Sequence, residues 1–196
     1  MKKVILSTVL IIILTSFISI FAQSSTDDQK AAEQKWMAYM TPGAAHEKFA
    51  KATGEWEAKM QMWMAPETEP TTTTGTVKAE MILGGRYLQM KYNSIFMGMP
   101  YEGISTDGYD NAKKVYFNTW VDNMGTGIMY AEGKYDEGSK TTFYTGKMCD
   151  PISGKDLPYR QTVQNVDEKH MVMEMFYPNP KTGKEFKSLH VEYVKK

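Results

Sequence analysis

From Gly54 onward, apolar and polar residues alternate with a period of two, and turn-forming residues interrupt the alternation about every ten positions. This feature restricts the fold more than any other, because period two puts successive side chains on opposite faces of an extended strand. The interruptions fall at residues 65–70, 84–85, 97–100, 110–112, 122–125, 136–138, 148–156, 167–168 and 178–183. Nine turns separate ten strands. Connections this short make neighbouring strands pair antiparallel as a meander. Ten such strands in an open sheet would leave two unpaired edges, and closure removes both. The expected architecture is therefore all-β, a ten-stranded antiparallel up-and-down barrel. An open sheet or a two-sheet sandwich is the alternative.

What precedes Gly54 has a different character. Lys2 and Lys3 open the chain, an apolar stretch follows over residues 4–22, and Ala22 leads into the polar Gln23-Ser24-Ser25. This is the layout of a secretory signal peptide, residues 1–22, with an uncleaved anchor as the rival reading. No Cys stands near the end of the run to take a lipoprotein anchor. Cleavage after Ala22 would remove two lysines and leave a slightly acidic protein in the periplasm or outside the cell. No later apolar run is long enough to span a bilayer, so no membrane association is expected after cleavage. Residues 23–40 read as a linker and short helix, with 23–30 the polar linker and 31–40 the helix. Residues 41–196 read as the barrel domain. A second helix is expected over 43–53, with Thr41 as N-cap, Pro42 just inside it and Gly54 ending it.

Composition narrows the function classes. Twenty-three Lys and Arg balance 23 Asp and Glu, which excludes a basic nucleic-acid surface. The single Cys149 excludes an intramolecular disulfide and a multi-cysteine zinc site, and its Cys-Asp-Pro setting reads as an exposed turn. With 12% aromatic residues the chain is not of disordered composition. No pattern selects an oligomeric state. The unusual number is 16 Met.

The methionines are not scattered. In the first strand Trp56, Ala58, Met60, Met62 and Met64 share one face, opposite Glu57, Lys59 and Gln61. That apolar face must point inward. In the third strand Leu88, Met90 and Tyr92 stand together. In the ninth, Met171, Met173, Met175 and Tyr177 share a face, although the opposite face is also partly apolar. The fifth strand sets Val115, Phe117, Thr119 and Val121 against Tyr116, Asn118, Trp120 and Asp122. Closure would place strand ten between strands nine and one, so two methionine ladders would flank one sector of the interior. About eight strands already leave room for a small ligand, and ten leave more. Flexible thioethers suit the lining of such a space. The competing reading is that methionine simply fills a loosely specified core.

At Gly54-Glu55-Trp56, after a short helix, the chain resembles the opening of lipocalin-like barrels, in which such a Trp closes one end. Further pieces extend the likeness: His46, Gly84-Gly85-Arg86, Gly98-Met99-Pro100-Tyr101-Glu102-Gly103, Gly108-Tyr109-Asp110-Asn111, Thr119-Trp120-Val121-Asp122, Gly133-Lys134-Tyr135-Asp136, Asp150-Pro151 and Gly154-Lys155. In that order, over residues 41–194, they resemble the bacterial family called domain of unknown function 1579. The resemblance implies an exported or cytoplasmic lipocalin-like barrel and implies no activity. Most of its motif residues are turn formers, so their physical reading is scaffold.

Catalytic patterns are sparse. His46, His170 and His190 form no short-spaced pair, and only His190 with Glu192 shares a strand face. A catalytic zinc usually takes three protein ligands. A lone barrel histidine can hold haem, as in nitrobindin-like barrels, and His190 invites that comparison by position alone. Gly-x-Ser-x-Gly, P-loop and dinucleotide fingerprints are missing. Asp107, Asp110, Asp122, Asp136, Asp150 and Asp167 fall at expected strand ends, where Asp ordinarily accepts from turn N–H groups. Arg160 and Glu174, on neighbouring strands, could pair and, if internal, anchor a ligand head group. Met-x-Met spacing raises a Cu(I) or oxidant-absorbing reading, but i and i+2 thioethers on one strand start about 7 Å apart. The expectation is an exported barrel that binds a small apolar or amphipathic molecule and needs no cofactor. Its candidate ligand-binding residues are Trp56, Met60, Met62, Met64, Met90, Tyr92, Arg160, Met171, Met173 and Met175. The rivals are an envelope copper or redox-protective protein and a hydrolase-type enzyme using strand-end carboxylates or histidines.

Overall fold

The computed structural model describes residues 26–179 and 181–196. The expected signal peptide, residues 1–22, lies outside the described residues. The chain divides into two compact units, residues 1–41 and Pro42–Lys196. Helix α1, Thr26–Met40, belongs to the first and has no buried residue. It begins earlier than the linker reading allowed. Asp27 and Asp28 fall in its first turn, where carboxylates favour the helix dipole, so a polar opening was compatible with helix.

The second unit opens with helix α2, Ala44–Ala50, shorter than expected and capped by Gly43 rather than Thr41. The Thr41 hydroxyl instead donates back to the Met37 carbonyl at 2.7 Å. The Gly43 N–H donates to His46 Nδ1 at 3.0 Å, and His46 N–H returns a bond to the Gly43 carbonyl at 2.8 Å. Lys51 and Ala52 follow the helix as a turn, and Gly54 opens the first strand at φ 129° instead of closing the helix.

Ten strands follow: β1 Gly54–Met62, β2 Thr71–Ile82, β3 Tyr87–Phe96, β4 Met99–Asp110, β5 Val115–Asp122, β6 Met129–Asp136, β7 Thr141–Cys149, β8 Asp156–Asn165, β9 His170–Pro178 and β10 Glu185–Lys195. All nine turns lie where the sequence places them. The strands close into one antiparallel barrel in the order β1-β10-β9-β8-β7-β6-β5-β4-β3-β2. Seven paired positions, from Trp56 opposite Lys195 to Met62 opposite Leu189, seal β1 to β10. The β3–β4 hairpin shows how register is set. Phe96 faces Met99 across Met97 and Gly98, both at positive φ, and Gly98 supplies the second left-handed position at little steric cost.

Of two buried clusters among the described residues, the smaller holds Ala131, Tyr144 and Tyr159, and the larger packs around Trp56 beneath α2. Trp56 is 1% exposed, and its Nε1–H donates to the Ala52 carbonyl at 2.9 Å. Val77, Ala79, Leu88, Val191 and Tyr193 pack in the same cluster, with Phe49 against it. Phe49 also meets the Tyr116 ring edge-on at 5.7 Å between centroids, and His46 meets Tyr109 at 6.2 Å. The indole thus ties the helix to the barrel that the helix covers.

Candidate functional site

The side chains do not fill the barrel. A cavity of about 260 Å³ runs through its interior, bounded near α2 by Lys48, Phe49 and Ala52. Strand pairing explains its methionine wall. Directly opposed residues share a face, so Met60 on β1, Val191 on β10 and Met173 on β9 form one inward row. Met62, Leu189 and Met175 form the next, and Ala58, Tyr193 and Met171 the one before. Met90 and Met129 line the cavity from β3 and β6.

Across from this wall the lining is aromatic and polar. Tyr116, Asn118, Trp120 and Asp122 point in from β5, leaving Phe117 and Val121 outside. Trp120 has room because Gly103 lies on β4 beside it: a Cβ there would come within 2.3 Å of the indole. The indole Nε1–H donates to Asp122 Oδ2 at 2.7 Å, and Met124 N–H donates to Oδ1 at 2.9 Å. Tyr92 meets the Trp120 ring edge-on at 4.9 Å, and its hydroxyl lies 3.2 Å from that of Tyr193. Tyrosine hydroxyls also reach sulfur, Tyr177 to Met175 at 3.0 Å and Tyr92 to Met90 at 3.7 Å. The Tyr159 hydroxyl, in the same lining, is buried without a hydrogen-bond partner.

Asp107 is the one carboxylate set deep in this wall. Asn118 Nδ2 donates to its Oδ1 at 3.0 Å and Ser105 Oγ to its Oδ2 at 3.3 Å. Burial pushes its carboxyl up to about 6, against the opposing pull of those two bonds. Burial likewise raises the hydroxyls of Tyr92, Tyr144 and Tyr193, and the nearby Asp107 charge adds to each shift.

Seven of the ten expected binding residues line the cavity: Met60, Met62, Met90, Tyr92, Met171, Met173 and Met175. The other three do not. Trp56 is sealed behind the lining, beneath α2. Met64 is 73% exposed, because β1 ends at Met62 and the alternation no longer governs the loop. Arg160 points outward, since its neighbours Tyr159 and Gln161 take the inward positions. Its Nη2 donates to Glu185 at 3.0 Å while its guanidinium lies 3.9 Å over Phe176. Register also separates it from Glu174: Arg160 faces Phe176, and Glu174 binds Lys187 at 2.9 Å and His190 at 3.1 Å.

The expected turn aspartates divide by location. Asp110, Asp136, Asp150 and Asp167 accept backbone N–H bonds within their turns. Asp107 and Asp122 line the cavity, Asp122 while also accepting the Met124 N–H of its turn. The hairpin at Met97 and Gly98 could have revealed Asp107. Its register carries parity from Met90 and Leu88, which face in, to Ser105 and Asp107 opposite them. Among the described residues no histidine lines the cavity. His46 bonds Gly43, His170 bonds Asp167 at 2.9 Å, and His190 faces outward between Glu174 and Glu192. That leaves the haem comparison without the axial histidine that suggested it. Cys149 is exposed, as its turn setting implied. The described residues contain no cluster of three or more His, Cys, Asp or Glu able to hold a metal.

Comparison with known proteins gives a family and a fold. The model of the family described as "Protein of unknown function (DUF1579)" matches residues 41–195. No curated protein matches the chain. The crystal structure of Rv2717c from M. tuberculosis is similar at 10% identity and a TM-score of 0.59, covering 80% of this chain and 99% of that one. At that identity the likeness concerns the fold alone. A redesigned β-barrel is also similar, at 11% identity, with 76% of this chain and 94% of that one covered and a TM-score of 0.39.

Proposed function

The chain belongs to the DUF1579 family, and from that premise we propose that its barrel is an exported binding module for a small apolar or amphipathic molecule held in the interior. One observation carries this reading: a cavity of about 260 Å³ whose wall is built of methionine and tyrosine. Binding sites for small molecules are concave and mostly apolar, with a few placed polar groups. Thioethers re-pack around irregular shapes, and tyrosine adds rigid apolar area with a polar tip. Empty space lined by flexible side chains is poor core, because missing contacts weaken the interior. A bound molecule would restore them.

The rival chemistries have less support. Met60 and Met173 are separated by Val191 on the intervening strand, and Met62 and Met175 by Leu189, so the backbones of each pair stand about 10 Å apart. Five of the six strand-end aspartates are engaged in turns. Native mass spectrometry of the purified protein, joined to titration with the neutral apolar dye N-phenyl-1-naphthylamine, tests the proposal. Retained small-molecule mass or stoichiometric dye binding is the expected result. Failure of both would leave the methionines as core filler.

A further inference from the structure

Asp107 poses a problem that the apolar reading does not solve. A buried carboxylate is costly unless it is paired. Among the described residues none of the recorded ion pairs involves Asp107, and its two donors are the neutral side chains of Asn118 and Ser105. Asp122, the other carboxylate of the lining, differs, because Trp120 and the Met124 backbone hold it. The nearest candidate cation in the lining is Lys48 of α2, whose ammonium is bonded to Glu137 and lies 3.9 Å over the Tyr135 ring. The charged groups of the interior are therefore weighted toward the negative.

The surroundings of Asp107 also favour a cation. Tyr92 of β3, Tyr144 of β7 and Tyr193 of β10 are close enough for its charge to raise their hydroxyls. Trp120 packs edge-on against Tyr92. Aromatic faces attract ammonium groups, most strongly where water is excluded. The methionines of β1 and β9 line the same cavity of about 260 Å³.

We propose that the cavity takes small amphipathic amines, with the ligand ammonium paired to the Asp107 carboxylate and the apolar body against the methionines of β1 and β9. This rests on the reading of the cavity as a ligand site. An anionic or zwitterionic ligand would bring a second negative charge toward Asp107 and be disfavoured.

The test is calorimetric titration of the purified protein with 2-phenylethylamine, 2-phenylethanol and 3-phenylpropanoate, alongside N-phenyl-1-naphthylamine. At pH 7.5 the amine should bind at least tenfold more tightly than the alcohol, and the acid least. Lowering the pH below 6 should progressively reduce the preference for the amine, because Asp107 takes up a proton while the facing tyrosines stay neutral and Lys48 stays charged. Asp107→Asn should remove that preference, leaving amine and alcohol bound about equally. Equal binding of amine and alcohol at pH 7.5 would overturn the proposal, as would an amine preference undiminished at pH 5. Dye binding without amine binding would overturn the amine class and spare the ligand site; absence of all binding would overturn both. Should Asp107→Asn misfold, the pH series on the unaltered protein still decides.

Discussion

Asp107 pays for its place in the wall with stability. Burial pushes its carboxyl in the folded protein up to about 6, from an ordinary value of 3.8. The sign follows from linkage: a carboxyl raised on folding destabilises the fold once it ionises. The penalty is zero below about 4, grows up to about 6, and is full above it. Asp107→Asn should therefore stabilise the protein by about 2–3 kcal/mol at pH 7.5 and by little at pH 4, read by urea unfolding at both values. An equal effect at both pH values would mean that the carboxyl is not raised. Trp56→Ala should cost about 3–5 kcal/mol, since it empties a sealed site and orphans the Ala52 carbonyl. A loss below roughly 1 kcal/mol would take Trp56 out of the core. The same two residues mark what single positions disclosed. Trp56 was legible as a barrel-end anchor from its place after Gly54, but not as lying behind the cavity. Asp107 was hidden because the inward face of β5 is more polar than its outward face, and because β4 carries polar residues on both faces. Ser105, Asp107 and Asn118 point in, while Ile104 and Val121 are exposed. Polarity reports the side facing water only where the interior is dry and full.

Among the elements, the strands were readable because each turn signal sits at an obligatory position and each connection is short. The helices were less so. Seven residues of α2 leave little periodicity to read, and the Gly43–His46 exchange of bonds, rather than Thr41, sets where it begins. In β9 both faces carry apolar residues, and only pairing with β10 decides that Met171, Met173 and Met175 face in. Strand β1 offers an internal control on the ligand reading. Met62 is its last inward rung, and Met64 lies beyond its end. Met62→Gln and Met173→Gln should each weaken N-phenyl-1-naphthylamine binding about five- to thirtyfold, the effect of placing an amide where a thioether met the ligand. Met64→Gln should leave the dye affinity unchanged in the same fluorescence titration. Equal weakening by all three would place the dye at the surface rather than inside.

For the whole molecule, closure was legible from a single physical argument, that ten meandering strands leave two edges only if the sheet stays open. The contents of the barrel were not, because alternation gives the parity of a strand and says nothing about the volume between strands. Export stands on the first 22 residues, and N-terminal sequencing of material recovered outside the cytoplasm should begin near Gln23; intact Met1 in the membrane fraction would contradict it. The seam between β1 and β10 has a consequence for connectivity. Lys196 N–H donates to the Glu55 carbonyl at 2.9 Å, so the last residue of the domain lies beside the start of its first strand. Around a closed ring of neighbours joined in order, no strand is first. A short Gly-Ser linker from Lys196 to Gly54 would make the tenth hairpin, and the chain could be opened at any of the other nine. With α2 carried along in the linker, a permutant that begins at Arg86 should form the same ring, giving the parent circular dichroism spectrum and dye affinity. The order in which the ribosome delivers these strands is then one of ten equivalent cuts through a single cycle.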